Sequence, residues 1–410
     1  DSMTRTRAFS LLIVAVAATV VAAGAVANPS TGADSTRRAA AAQPSLDESF
    51  GALVATVQKP PRPVLGTDKR RHLVYEIGLV NTAPLTQVID SVEVIDPARE
   101  KVLVAFDDPA EITGIMTTST TSGAGVDELG PNEAGMLFIN VELPARARVP
   151  DRLVHQIDSS LPDVGVDLSL NGAATNVAHR GPIVISPPLA GRGYINENGC
   201  CGRSDHTRAV LTVDGQSWLA QRFAIDWVRA DSEGRIYVGD WQVNDNWIIF
   251  GDPVLSATGG TVIETLNTMP ENTPPTPAPN LTPYTALGNH VIIATGNGAY
   301  ALYAHMQPGS VTVEVGDHVG VGEQLGKVGN TGSSVAPHLH FHITDGPSAV
   351  GANGIPFVFD TFRLDNLVLN ADELNADTPA QTAELGPAPA PGWRHRQLPL
   401  GGVLVTLPAG

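Results

Sequence analysis

Apolar and polar positions divide the chain into stretches of different character. Residues 8–27 are uncharged, rich in Ala, Val, Leu and Ile, and follow Arg5 and Arg7. The run closes on Ala25-Val26-Ala27, the small-x-small end of a secretory signal. Residues 1–27 are therefore expected to be a signal peptide and the mature protein to be exported, secreted or held in the cell envelope. An uncleaved anchor competes, since about 20 apolar residues just span a bilayer, but the alanine content makes a weak span. Residues 28–47 have no apolar face and read as a linker. From 48 to 188, short alternating runs recur at 72–80, 88–95, 102–106 and 136–143, separated by Pro, Asp, Asn and Gly. That spacing predicts antiparallel strands and an N-terminal β-sandwich of immunoglobulin-like type.

Residues 189–370 are strand-rich as well, with turns marked by Gly259-Gly260, Gly296-Asn297-Gly298 and Gly329-Asn330. The proline-rich 268–283 segment has no periodicity and reads as a surface loop. Residues 371–410 return to Ala/Pro composition, an expected C-terminal tail with one last strand-like run at 403–407. The fold class is all-β. Gly 41 and Pro 32 agree with a turn-rich β protein rather than a helix bundle. With 42 Asp+Glu against 25 Lys+Arg the formal charge is −17. Bulk attraction to nucleic acid or to anionic lipid is excluded, so neither is an expected partner once the signal is cleaved.

Chemistry concentrates in the histidines. Six of the eleven, at 290, 305, 318, 338, 340 and 342, lie in one part of the second block. Three belong to Pro337-His-Leu-His-Phe-His-Ile343. In a strand His338, His340 and His342 share one face, and Leu339, Phe341 and Ile343 line the other. The apolar face belongs in a core, whereas a row of imidazoles points to a site. Catalytic zinc takes three protein ligands and leaves one position open. Same-face neighbours on a strand stand about 6.6–6.8 Å apart. One can ligate while the next sits over the open position as a base. His340 is the favoured ligand and His338 the base, with His342 in reserve. His290 and His318 read as surface residues beside turns.

These residues resemble a family. Tyr303-Ala-His305-Met, Val315-Gly-Asp317-His-Val-Gly320, Leu325-Gly-Lys-Val-Gly329-Asn-Thr-Gly332 and Pro337-His-Leu-His340-Phe are similar to lysostaphin-type zinc metallopeptidases, over residues 205–360. The resemblance implies a two-sheet antiparallel β fold and Zn2+ as cofactor, with the peptide cross-links or bridges of bacterial peptidoglycan as substrate. It makes His340 a zinc ligand, His338 the general base, and His305 a group that assists the water or steadies the tetrahedral intermediate. The family's remaining ligands come from a His-x-x-x-Asp motif, which falls on Arg222-Phe-Ala-Ile-Asp226. Asp226 fits as a hard ligand. Arg222 does not, because arginine cannot ligate. Three repairs are open: His206 in Ser204-Asp-His-Thr-Arg, His342, or no zinc at all. The reading taken is His206, Asp226 and His340. The zinc-free alternative is a degenerate wall-binding or hydrolase-regulating module. Cys200-Cys201 opens the same segment, and export favours a vicinal disulfide that locks the turn before His206; the alternative is a plain Gly-Cys-Cys-Gly turn.

Overall fold

A computed structural model describes residues 51–118, 125–376 and 378–408. The expected signal peptide and linker lie outside the described residues. Among the described residues no helix is long and apolar enough to cross a membrane.

The alternating runs of the first block form strands at Arg70–Asn81, Gln87–Asp96, Lys101–Phe106 and Ala134–Pro144. One sheet orders Leu53–Val57, Arg70–Asn81, Ala134–Pro144 and Met116–Thr118. The other orders Val166–Asn176, Arg152–Leu161, Gln87–Asp96 and Lys101–Phe106. Lettered along the chain these are strands A, B, E, D against G, F, C, C′, the immunoglobulin-like order. Alternation turns Leu73, Tyr75, Ile77 and Leu79 of one sheet into a core shared with Val92, Val94 and Ile157 of the other. One histidine is sealed into that core. His155 donates from Nδ1 to the Ala173 carbonyl (2.9 Å), so its Nε2 accepts from the Tyr75 hydroxyl (2.7 Å). Burial pushes its pKa down to about 4, against the backbone hydrogen bonds.

The second block is built on an eleven-stranded sheet. Its middle runs Gly191–Glu197, Ile225–Arg229, Leu339–Thr344, Tyr300–Met306 and Asn289–Ala294, all antiparallel. A small second sheet, Pro253–Leu255 with Gln324–Lys327, contributes Val254 and Leu325 to the core shared with Phe341 and Tyr303. As the alternation required, Leu339, Phe341 and Ile343 are fully buried there. Two expectations are corrected. Residues 371–410 are not a tail: Val403–Leu407 lies between Phe357–Val368 and Gly191–Glu197, and Leu385–Gln397 pairs with Phe357–Val368. The prolines that hid the latter strand are tolerated because it pairs on one side only, where missing donors cost little. His290 is not at the surface either. It is fully buried, with Nε2 3.1 Å from Glu264.

Where the blocks meet stands the arginine that occupied a ligand position in the sequence. Arg222 turns toward the sandwich and forks onto Glu76, with Nε 2.7 Å from Oε1 and Nη2 on Oε2. Its Nη1 donates to the Gly354 carbonyl (3.0 Å). Both side chains are buried, 4% and 1% exposed, so neither charge can be left alone. Nearby, the Arg208 guanidinium lies 4.1 Å over the Phe138 ring and donates to the Gly114 carbonyl.

Two outcomes follow for stability. Glu76→Gln strands a buried guanidinium and is expected to cost about 3–5 kcal/mol in urea unfolding. Replacing both partners, Glu76→Leu with Arg222→Met, is expected to recover most of that; a double variant as weak as the single one contradicts the pairing argument. His155 sets a pH dependence. The unfolded imidazole titrates near 6.5, so below that pH only the unfolded chain gains its proton. Stability should fall as pH drops from about 6.5 to 4, by up to about 3 kcal/mol. A His155→Gln variant should show a flatter profile over that window.

Candidate metal centre

The register of the central strands assembles the site. Glu197 lies beside Asp226, Asp226 beside His340, and His340 beside Ala304. Ile225, Trp227 and Phe341 take the core face, which leaves Asp226 and His340 together on the other. His305 follows Ala304 with φ of 64°. That left-handed residue interrupts the strand's alternation and allows its ring into the same cleft. His206 comes from elsewhere, on the single-turn helix Asp205–Arg208, whose start is fixed by a reciprocal Ser204–Thr207 capping box.

Asp226 is the meeting point. Its Oδ2 is 3.1 Å from His206 Nε2, and its Oδ1 is 2.9 Å from His340 Nδ1 and 3.4 Å from His338 Nε2. One donor atom each from His206, Asp226 and His340 lies within 4.8 Å of the others, and all three residues are buried. Two imidazole nitrogens and a carboxylate are a donor set that suits zinc. Burial pushes the Asp226 carboxyl up, but the His206 and His338 imidazoles outweigh it and hold it well below the ordinary carboxylate range. Burial likewise pushes the His338 imidazole down, and Asp226 reverses the shift upward. At His305 burial dominates, aided by His338 and His340, so its pKa falls well below the ordinary value.

Backbone carbonyls select the tautomers. His206 Nδ1 donates to Asn198 O (3.1 Å), His305 Nδ1 to Thr331 O (2.7 Å) and His338 Nδ1 to Ala336 O (2.8 Å). Each therefore keeps Nε2 as its lone-pair nitrogen in the neutral ring. The His305 and His338 rings stand 4.8 Å apart. His342, the reserve ligand, is placed differently. Its Nδ1 lies 2.8 Å from His340 Nε2, on the side of that ring remote from Asp226. It is outside the cluster of converging donors and stands behind a member of it.

The residues open into a cleft of about 660 Å³, walled by Trp241, Trp247 and Leu287 and by Leu281 and Pro283 of the proline-rich loop. Glu197 and Asn198, which line it too, were not singled out in the sequence. Burial and the neighbouring Asp226 push the Glu197 pKa up to about 8. The Asn-Gly pair at 198–199 is a turn signal that could have drawn attention to Asn198. The vicinal disulfide Cys200–Cys201 is formed.

Comparison with known proteins converges on the same part of the chain. Residues 248–352 match the model of Peptidase family M23. The chain is 33% identical over 170 residues to the cell division protein DipM of Caulobacter vibrioides, covering 40% of this chain. It is 32% identical over 93 residues to the peptidoglycan DD-endopeptidase ShyA of Vibrio cholerae, covering 23% of this chain. It spans under a quarter of each relative's own length, 23% and 17%. The catalytic domain of lysostaphin from Staphylococcus simulans is 24% identical, with 31% of this chain and 88% of that one covered at a TM-score of 0.20. At that score the structural likeness carries no weight. The family match and the curated relatives do, and they bear out the resemblance read from the sequence: over residues 248–352 this chain matches peptidase family M23.

Proposed function

We propose that the chain is an exported zinc metalloendopeptidase that hydrolyses peptide cross-links or bridges of bacterial peptidoglycan. The observation that carries this reading is the convergence of His206, Asp226 and His340 within 4.8 Å, with His338 and His305 in the same cleft. The name of one relative, a peptidoglycan DD-endopeptidase, supports the substrate class. The signal-like run at 8–27 supports export, to the medium or the envelope.

His206 Nε2, a carboxylate oxygen of Asp226 and His340 Nδ1 would hold the zinc. Bound there, it would supply Lewis acidity toward the scissile carbonyl and toward the attacking water. The rest falls to the side chains. His338, with its Nδ1 proton committed to Ala336, offers Nε2 as the base that takes the water's proton and passes it to the leaving amine. His305, with Nδ1 committed to Thr331, also presents an acceptor. That tautomer suits orienting the water, since a lone pair repels a developing oxyanion. The contact with the tetrahedral intermediate expected of it would require a second proton on a deeply buried ring.

The zinc-free alternative rested on Arg222 at a ligand position. Against it, His206 beside Asp226 would supply the missing imidazole, and Arg222 is occupied with Glu76.

Purified protein is expected to bind about one zinc per chain, and His340→Ala to lose it. His338→Ala should keep the metal yet clear purified peptidoglycan about 10²–10⁴-fold more slowly. Protein that takes up no zinc, or a His338→Ala variant as fast as the parent, refutes the reading.

A further inference from the structure

The imidazole that repairs the site is held by a loop whose construction has its own consequence. Strand Gly191–Glu197 ends beside Asp226, and the chain then turns through Asn198, Gly199 and the Cys200–Cys201 disulfide before reaching His206. Asn198 touches both residues that this loop must bring together. Its backbone carbonyl accepts the Nδ1 proton of His206 (3.1 Å), and its side-chain Nδ2 donates to Asp226 Oδ2 (3.0 Å). The amide has one sensible orientation, because an amide oxygen against a carboxylate oxygen would repel it. Its own Oδ1 accepts from Asn375 Nδ2 (3.0 Å), which fixes the side chain from behind. The backbone carries the matching feature: Asn198 has φ of 54°, a left-handed conformation that asparagine tolerates and most residues do not. Beyond it, the Cys200 carbonyl accepts from Gly401 N (2.9 Å), tying the loop to the sheet.

We propose that Asn198 is the positioning residue of the metal centre: one residue sets the tautomer of His206 and the rotamer of Asp226, and so binds the transplanted ligand into a working set. The inference rests on the zinc reading above. Its logic is that a ligating imidazole is oriented by what its other nitrogen donates to, and a ligating carboxylate by what donates to it. Here both orienting groups belong to Asn198. A histidine recruited from outside the main sheet has no strand register to aim it, so this loop must.

Asn198→Gly separates the parts, because glycine keeps the carbonyl and accepts the positive φ while deleting the amide. Zinc affinity, measured by competition with a chelating indicator, is expected to fall about 10–100-fold, with the metal-free protein melting close to the parent. Asn375→Ala, which only frees the back of the amide, should give a smaller drop of the same sign, and it carries the test should the glycine variant fail to fold. Zinc bound as tightly by these variants as by the parent overturns the role of Asn198. A parent protein that binds no zinc overturns the underlying reading instead, so the two failures are distinguishable.

Discussion

Burying the Asp226 carboxylate obliges its surroundings to supply N–H donors or positive charge, and most of the cleft can be derived from that obligation. The residue sits on an interior strand, 9% exposed, with core on one side of the sheet. Its two oxygens meet His206 and Asn198 on one side and His338 and His340 on the other. Each of the three imidazoles is itself held at its far end. Asn198 O holds His206, Ala336 O holds His338, and His342 backs His340. A carboxylate without such partners would take up a proton and give up both its charge and its use as a ligand. Asn198 Nδ2 donates to the carboxylate directly, while the Nε2 lone pairs that neutral His206 and His338 turn toward it suit the cation of the zinc reading, which would supply the remaining positive charge.

The same reasoning explains why the cluster is assembled from an unusual address. The position from which the family motif would send a histidine carries Arg222, and a guanidinium cannot share the site with a cation. It is turned out of the cleft and neutralised by Glu76, a residue of the N-terminal sandwich. On the zinc reading proposed above, that exchange would leave the ligand set one imidazole short, and His206 would make up the deficit from a helix of a single turn. A short helix contributes little rigidity of its own. The capping box, the disulfide and the Asn198 contacts supply what regular structure does not.

Much of this was legible in the sequence, and the division follows physical lines. Alternation found the strands of the first block, and it put Leu339, Phe341 and Ile343 in the core, because period-two patterning is a property of neighbours in the chain. Asp226 opposite His340 is a matter of strand pairing, which no local pattern encodes; the motif resemblance brought them together. His206 is favoured in the sequence by the strand-like run that follows it, but Leu211–Val213 pairs with Gln216–Trp218, and the approach of His206 to Asp226 depends on a turn. Asn198 escaped notice since its role is half backbone. Prolines make the Leu385–Gln397 strand read as a tail, and no local pattern reveals that His290 is buried, because its partner Glu264 lies on the neighbouring strand.

If the proposed cell-wall substrate is right, the charge of −17 gives no general attraction to negatively charged material, so contact would rest on shape, and the Arg222–Glu76 joint bears on what shape is available. Beside the cleft, and sharing Glu197, Asn198 and Asn375 with it, runs a groove of about 1220 Å³ between the sandwich and the second block. Asp68 and Glu142 line its sandwich wall and Arg208 the opposite one, so the groove is of mixed sign despite the acidic whole. Domains joined by a polar interface rock against each other by default. Rocking here would pull Glu76 from Arg222 and leave two buried charges unpaired, at a cost of several kcal/mol. The Arg222–Glu76 pair therefore also opposes changes in the groove's width. Any chain that extends from the cleft into it meets walls whose spacing that pair restrains.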